Sequence, residues 1–187
     1  MKGIIRLILQ LPKWYGISIV FIYGILLAEL LSTIINFISI ESSWVNIFKI
    51  IVNINYGVTI FSGIIVWLIT ALLFHLTALL FNGQASFARI AIATSYPHLI
   101  PAIMILIGII ILDSIQIPQT NDIAAILINH PQFKIAMNLV NYSFIPYYLI
   151  VAIFIHHIYQ IKYLNAILSV ALPVAGIWLV TELVKLI

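Results

Sequence analysis

Five long apolar stretches dominate this chain and restrict what it can fold into. They run from about Ile17 to Ile40, Val58 to Phe81, Phe87 to Leu112, Ile135 to Ile158 and Leu164 to Leu183. A bilayer core about 30 Å thick is crossed by about 20 apolar residues in a helix, and each stretch meets that length. In lipid the backbone must satisfy its own hydrogen bonds, so stretches of this kind are helical. The expected fold class is all-α: a polytopic membrane protein, a bundle of five transmembrane helices with interfacial amphipathic helices. Composition argues against a soluble alternative. The 187 residues are 64% hydrophobic and 7% charged, where a soluble domain carries about 25% charged residues. Residues 1–187 read as a single transmembrane domain, with no repeat and no Gly/Ser linker. The net charge of +3 suits anionic lipid headgroups, and no basic patch points to nucleic acid. The absence of cysteine excludes disulfides, thiolate metal sites and thiol catalysis.

The connections carry the punctuation. Residues 1–14 place Lys2, Arg6 and Lys13 among Ile4, Ile5, Leu7, Ile8 and Leu11, an interfacial or cytoplasmic segment moored by Trp14 and Tyr15 at headgroup level. No cleavage site follows, because Glu29 interrupts the small-residue pattern and the apolar run continues. Glu41 to Tyr56, with Trp44, Phe48, Ile51 and Val52 among polar residues, reads as a separate helix lying in the interface. Asn82-Gly83 marks a turn. Asp113 to Lys134 is the longest polar segment, with a short surface helix near Ile123 to Ile128. Gln160 to Tyr163 is tight enough to make the last two spans an antiparallel hairpin. Lys2, Arg6, Lys13, Arg89 and Lys162 fall on the side of the N-terminus, and Lys49, Lys134 and Lys185 on the other. The positive-inside rule then places the N-terminus in the cytoplasm and the C-terminus outside.

Three ionisable groups fall deep in these stretches: Glu29, His75 and His98. A charge at the centre of a spanning helix costs about 2.5–3.5 kcal/mol on insertion scales. All three are therefore expected to face the bundle. They admit four readings: hydrogen bonds that fix helix register, an ion or proton site, a metal site, or a b-type haem between His75 and His98. The first is favoured, so no metal ligand set and no cofactor is expected. His156 and His157 are adjacent and point to different faces, which suits an interfacial place beside Tyr159 and Tyr163. Pro97 and Pro101 should kink or unwind the third helix and open a small cavity near the three groups. Ser32, Thr33, Thr59, Ser62, Thr70 and Thr77 are expected to pack and hydrogen-bond. No nucleophile stands beside a general base, so there is no catalytic residue to name and no enzyme is expected.

The stretch from His75 through the Asn82-Gly83 turn, the pair Ser86-Phe87, Arg89 and on to Tyr96-Pro97 resembles the Yip1-domain family. Members share an apolar helix, a glycine-containing turn, a Ser-Phe pair, and a third helix with an aromatic residue and a nearby proline. Gly83, Ser86 and Phe87 are the residues matching that turn, and the fourth span ending in His156-His157-Ile158-Tyr159 is also similar. The resemblance implies five helices, a cytoplasmic N-terminus and an exterior C-terminus. It also implies a non-enzymatic protein that organises membrane or serves as an accessory subunit of a membrane assembly. Eukaryotic members engage Rab GTPases through a long cytosolic N-terminus. The Asp-Leu-Tyr-Gly-Pro motif of those relatives is absent here, so Rab binding is not carried over. A short prokaryotic member, in a cell membrane, fits better. For such members the implied partners are an ABC-type exporter, another membrane protein or a second copy. The rival expectation is a small transporter or channel built on Glu29, His75 and His98.

Overall fold

The computed structural model describes residues 10–39, 45–116 and 123–185, and the regular structure there is helical throughout. The helices are α1 (Lys13–Ser39), α2 (Val45–Leu80), α3 (Phe87–Ser95), a 3-10 turn (Tyr96–His98), α4 (Leu99–Asp113), α5 (Ile123–Asn129), α6 (Pro131–Tyr142), α7 (Phe144–Tyr159) and α8 (Tyr163–Val184). Five helical runs among them are long and apolar enough to cross a membrane: Lys13–Phe37, Asn53–Leu80, Phe87–Asp113, Pro131–Tyr159 and Tyr163–Val184. The expected surface helix near residues 123–128 is α5.

One expectation changes, and another falls mostly outside the described residues. Glu41 to Tyr56 is not a separate interfacial helix: from Val45 onward it runs unbroken into α2. Nothing between Val45 and Val58 stops a helix, since asparagine and a single glycine weaken it without breaking it. Residues 41–44 and the side chains of 45–52 lie outside the description. So do residues 1–9, where most of the expected N-terminal interfacial segment falls; its end, Lys13 to Tyr15, is already the first turn of α1. Trp14 and Tyr15 are exposed and stacked there, with centroids 3.9 Å apart.

Proline places the interruptions. A proline ring clashes with the carbonyl four residues earlier. Pro101 thus disallows α-helix through Pro97, and the 3-10 turn at Tyr96–His98 separates α3 from α4. Pro146 acts in the same way on Tyr142, where α6 ends, so the expected fourth span is two helices meeting at Ser143. The Ser143 hydroxyl donates to the Val140 carbonyl at 2.5 Å. Pro131 opens α6 at its first turn, a position that needs no N–H.

The chain falls into two compact units. The first holds the residues up to Ser18 with Ile65–Pro97 and Ile145–Ile187; the second holds Ile19–Ile64 and His98–Phe144. In the first, Phe74, Ile90, Phe154, Ile155 and Ala166 form a core with almost no exposure. Gly16 lies against Ser95, leaving no space for a side chain. Trp67 Nε1 donates to the Ala91 carbonyl and to Thr94 Oγ1, each at 3.2 Å, joining α2 to α3. In the second unit, Leu30, Ile105, Ile109, Leu112, Leu127, Ala136 and Val140 make one cluster, with Gly108 of α4 against Val140 and Ala136 of α6. There α1 and α2 cross at glycines: a Cβ on Gly63 would lie 3.3 Å from Gly24 Cα, and one on Gly24 would lie 2.9 Å from the Ile60 carbonyl. Small residues allow this close backbone approach between membrane-type helices.

Candidate functional site

In the first unit the polar chemistry gathers on the turn after α2. The helix ends in a Schellman arrangement, with the Asn82 N–H on the Leu79 carbonyl (3.0 Å) and the Gly83 N–H on the Ala78 carbonyl (3.1 Å). The left-handed residue is Asn82 (φ 61°) and not the glycine. Gly83 is required for a different reason. A Cβ there would lie 2.7 Å from Tyr159 Cδ1 and 2.8 Å from the Ala78 carbonyl. Tyr159, 2% exposed, therefore lies directly on the turn. Its hydroxyl meets His75 Nδ1 at 2.5 Å, and Phe87 packs 5.8 Å from the His75 ring centroid. The resemblance residues Gly83 and Phe87 thus converge with His75 and Tyr159. Ser86, the remaining member, precedes α3 and makes no side-chain cap.

A second polar tie in this unit compensates a proline. Pro173 lies inside α8 and has no N–H for the Ser169 carbonyl, one turn earlier. The Thr77 hydroxyl of α2 donates to that carbonyl at 2.6 Å. His156 Nδ1 lies 2.5 Å from the Ile161 carbonyl and its ring stacks on Tyr163 at 3.6 Å. The imidazole therefore donates from Nδ1 and fastens the short α7–α8 connection, where Gln160 takes a positive φ of 55°.

In the second unit, His98 is buried, 5% exposed, and its ring meets Tyr23 edge-on at 5.2 Å. Glu29 differs from the expectation. It is exposed and not buried in the bundle. Its carboxylate accepts a hydrogen bond from the Tyr56 hydroxyl. The buried positions of this turn are its neighbours on either side, Ala28 and Leu30. Sequence reasoning missed Tyr56 by placing it in an interfacial helix. The signal was available, because Glu29 and Tyr56 lie about equally far from the α1–α2 connection, ten positions before Ser39 and eleven after Val45.

The three ionisable groups do not share one compact unit: His75 belongs to the first, Glu29 and His98 to the second. Two cavities stand out, and neither is lined by Pro97 or Pro101, both of which are buried. One, about 480 Å³, is a wholly apolar groove between α7 and α8, including Tyr148, Ala152, Ala171 and Trp178. The other, about 90 Å³, lies between α1 and α2, with Ser32, Asn55, Tyr56 and Thr59 on its walls. Among the described residues no three His, Cys, Asp or Glu side chains gather to hold a metal. No family model, no curated protein and no solved structure matches the chain.

Proposed function

We propose that this chain is an integral membrane protein of five transmembrane helices, a short prokaryotic-type member of the Yip1-domain family, acting without catalysis as an accessory subunit of a membrane assembly. The observation that carries this reading is α8. Its residues from Gly176 to Thr181 are all exposed, with Trp178 63% exposed, although the helix is long and apolar enough to span a bilayer. A helix that is apolar on every face is at home only in lipid or against another apolar helix. Contiguous exposed apolar surface of this kind marks an interaction site in membrane or protein. In this reading the N-terminus is cytoplasmic, the C-terminus is exterior, and the partner is an exporter of the ABC type or another membrane protein.

The test is site-specific photocrosslinking in native membranes. A photoreactive residue at Ile177 or Trp178 should give a discrete protein adduct, and one at Ile110 of α4, also exposed, should give lipid adducts alone. Lipid adducts at all three positions would overturn the accessory-subunit reading. Reporter fusions after Leu183 and within residues 118–130 should both report the exterior, and a cytoplasmic signal from either would remove the five-span arrangement.

A further inference from the structure

The groove between α7 and α8 has dimensions and a polar end that the assembly reading does not use. Its apolar walls run from Ile145 and Trp178 at one end to Ala152 and Ile167 at the other. The stretch of α8 from Ile167 to Trp178 rises about 17 Å at about 1.5 Å per residue. One leaflet contributes about 15 Å to a hydrocarbon core of about 30 Å. Width then decides what fits. A helix about 10 Å across displaces roughly 1,300 Å³ over that length. The groove holds about 480 Å³, so a helix lies across its mouth and does not fill it. One hydrocarbon chain, about 4–5 Å across at carbon contact distances, displaces roughly 300 Å³. One chain fits and two do not.

The next layer beyond Ala152 and Ile167 is polar. His156 follows Ala152 by four residues on α7, and Tyr163 precedes Ile167 by four on α8, the spacing that keeps a side chain on one helix face. Their rings stack at 3.6 Å, next to Lys162, the exposed residue that caps the start of α8. Tyr163 is 54% exposed, an aromatic of the kind that sits at headgroup level. At the far end of α8 the cation is already matched, since Lys185 pairs with Glu182 at 2.7 Å. Glu182 is also the only acidic residue in the sequence of the first unit. The charge on the Lys162 end is thus complementary to an anion, and the charge on the Lys185 end is not. We propose that the groove holds one acyl chain of an anionic phospholipid, with the phosphate at the Lys162–Tyr163 end. The apolar wall does not select that lipid, because bulk tails are as apolar as the groove. The wall fixes where the chain lies, and the basic end selects the headgroup. The inference needs membrane insertion but not the accessory-subunit reading.

The test uses the full chain alone, reconstituted in phosphatidylcholine vesicles. These carry a trace of phosphatidylglycerol, or of phosphatidylcholine, with a diazirine in the acyl chain. After irradiation, mass spectrometry maps the adducts. Phosphatidylglycerol should label Ala152, Ile167 and Ala171 in preference to Ile110 of α4, which is also exposed. At those groove positions it should exceed the phosphatidylcholine probe about fivefold, the factor that one basic residue supplies near a membrane surface. Lys162→Gln should bring the two probes level, whereas Lys185→Gln should leave the preference as it was. Ala171→Phe should fill the groove and remove its adducts, with those at Ile110 kept as the sign of an intact fold. Equal groove labelling by the two probes in the wild type would overturn the proposal. So would a preference that survives Lys162→Gln, or groove labelling no stronger than that at Ile110. Because no partner protein is present, a failure here leaves the accessory-subunit reading to its own crosslinking test.

Discussion

His75 and Glu29 are both ionisable side chains in apolar helices, and their surroundings differ in kind. His75 is half-buried, with Tyr159 on its Nδ1 and Phe87 against its ring, beside a turn with no spare volume. Glu29 is exposed, and its carboxylate pairs with the Tyr56 hydroxyl, which lines a small cavity of mixed polar and apolar wall. Neutral imidazole can donate and accept at once, so it can be absorbed into packing. A carboxylate cannot be absorbed without a counter-charge or a proton. The difference teaches that polarity within an apolar helix is not one signal: the first group is absorbed into packing, and the second is not.

The sharpest way to break this comparison is at Gly83. Gly83→Leu must displace Tyr159 and meet the Ala78 carbonyl, and overpacking of this sort costs about 3 kcal/mol or more. Loss of the folded protein, or a large fall in Tm in detergent, is expected. A Tm near that of the wild type would show that the His75 turn is not tightly packed.

A smaller effect is expected where Thr77 meets Ser169. Thr77→Val removes the donor that replaces the missing Pro173 N–H and should cost about 1 kcal/mol. In a Pro173→Ala background the helix supplies its own donor, so the same change should cost less. Equal losses in the two backgrounds, measured by unfolding in a double-mutant cycle, would show that the proline and the threonine are uncoupled.

The His75–Tyr159 pair should couple by about 0.6 kcal/mol and by no more than about 1.7, the average and the maximum found for interhelical hydrogen bonds in a membrane protein. Tyr159→Phe and His75→Phe, singly and together, give that number, and a coupling of zero would erase the contrast with Glu29. Smallest of all, Glu29→Gln should alter stability by less than about 0.5 kcal/mol, as exposed substitutions do. A larger loss would place Glu29 with His75 among the structural groups.

Part of this was legible beforehand. Apolar length located five candidate spans, because helix is the local answer to a backbone in an apolar setting. Pro97 and Pro101 announced the break between α3 and α4 for a steric reason internal to the chain. Asn82-Gly83 announced a turn, although which residue takes the positive φ, and that Tyr159 excludes a side chain at Gly83, are facts of contact. The cavity expected at the prolines was not among the two that stand out, because a break in a helix does not say what fills it.

The sequence by itself determined where helices form and where they stop, since chain sterics and backbone hydrogen bonding act over a few residues. Only the tertiary structure decided which faces are covered. The segment Phe87–Asp113 is 50% buried over its most apolar window and Tyr163–Val184 only 11%, although both are apolar enough to span a bilayer. Where the surroundings are as apolar as the protein interior, an outward leucine and an inward one carry the same cost. Periodicity then falls silent, and burial is set by which helices happen to meet. For the same reason Glu29 was visible as a charge in an apolar run, while its exposure and its bond to Tyr56 were settled only by the register at which α1 and α2 cross.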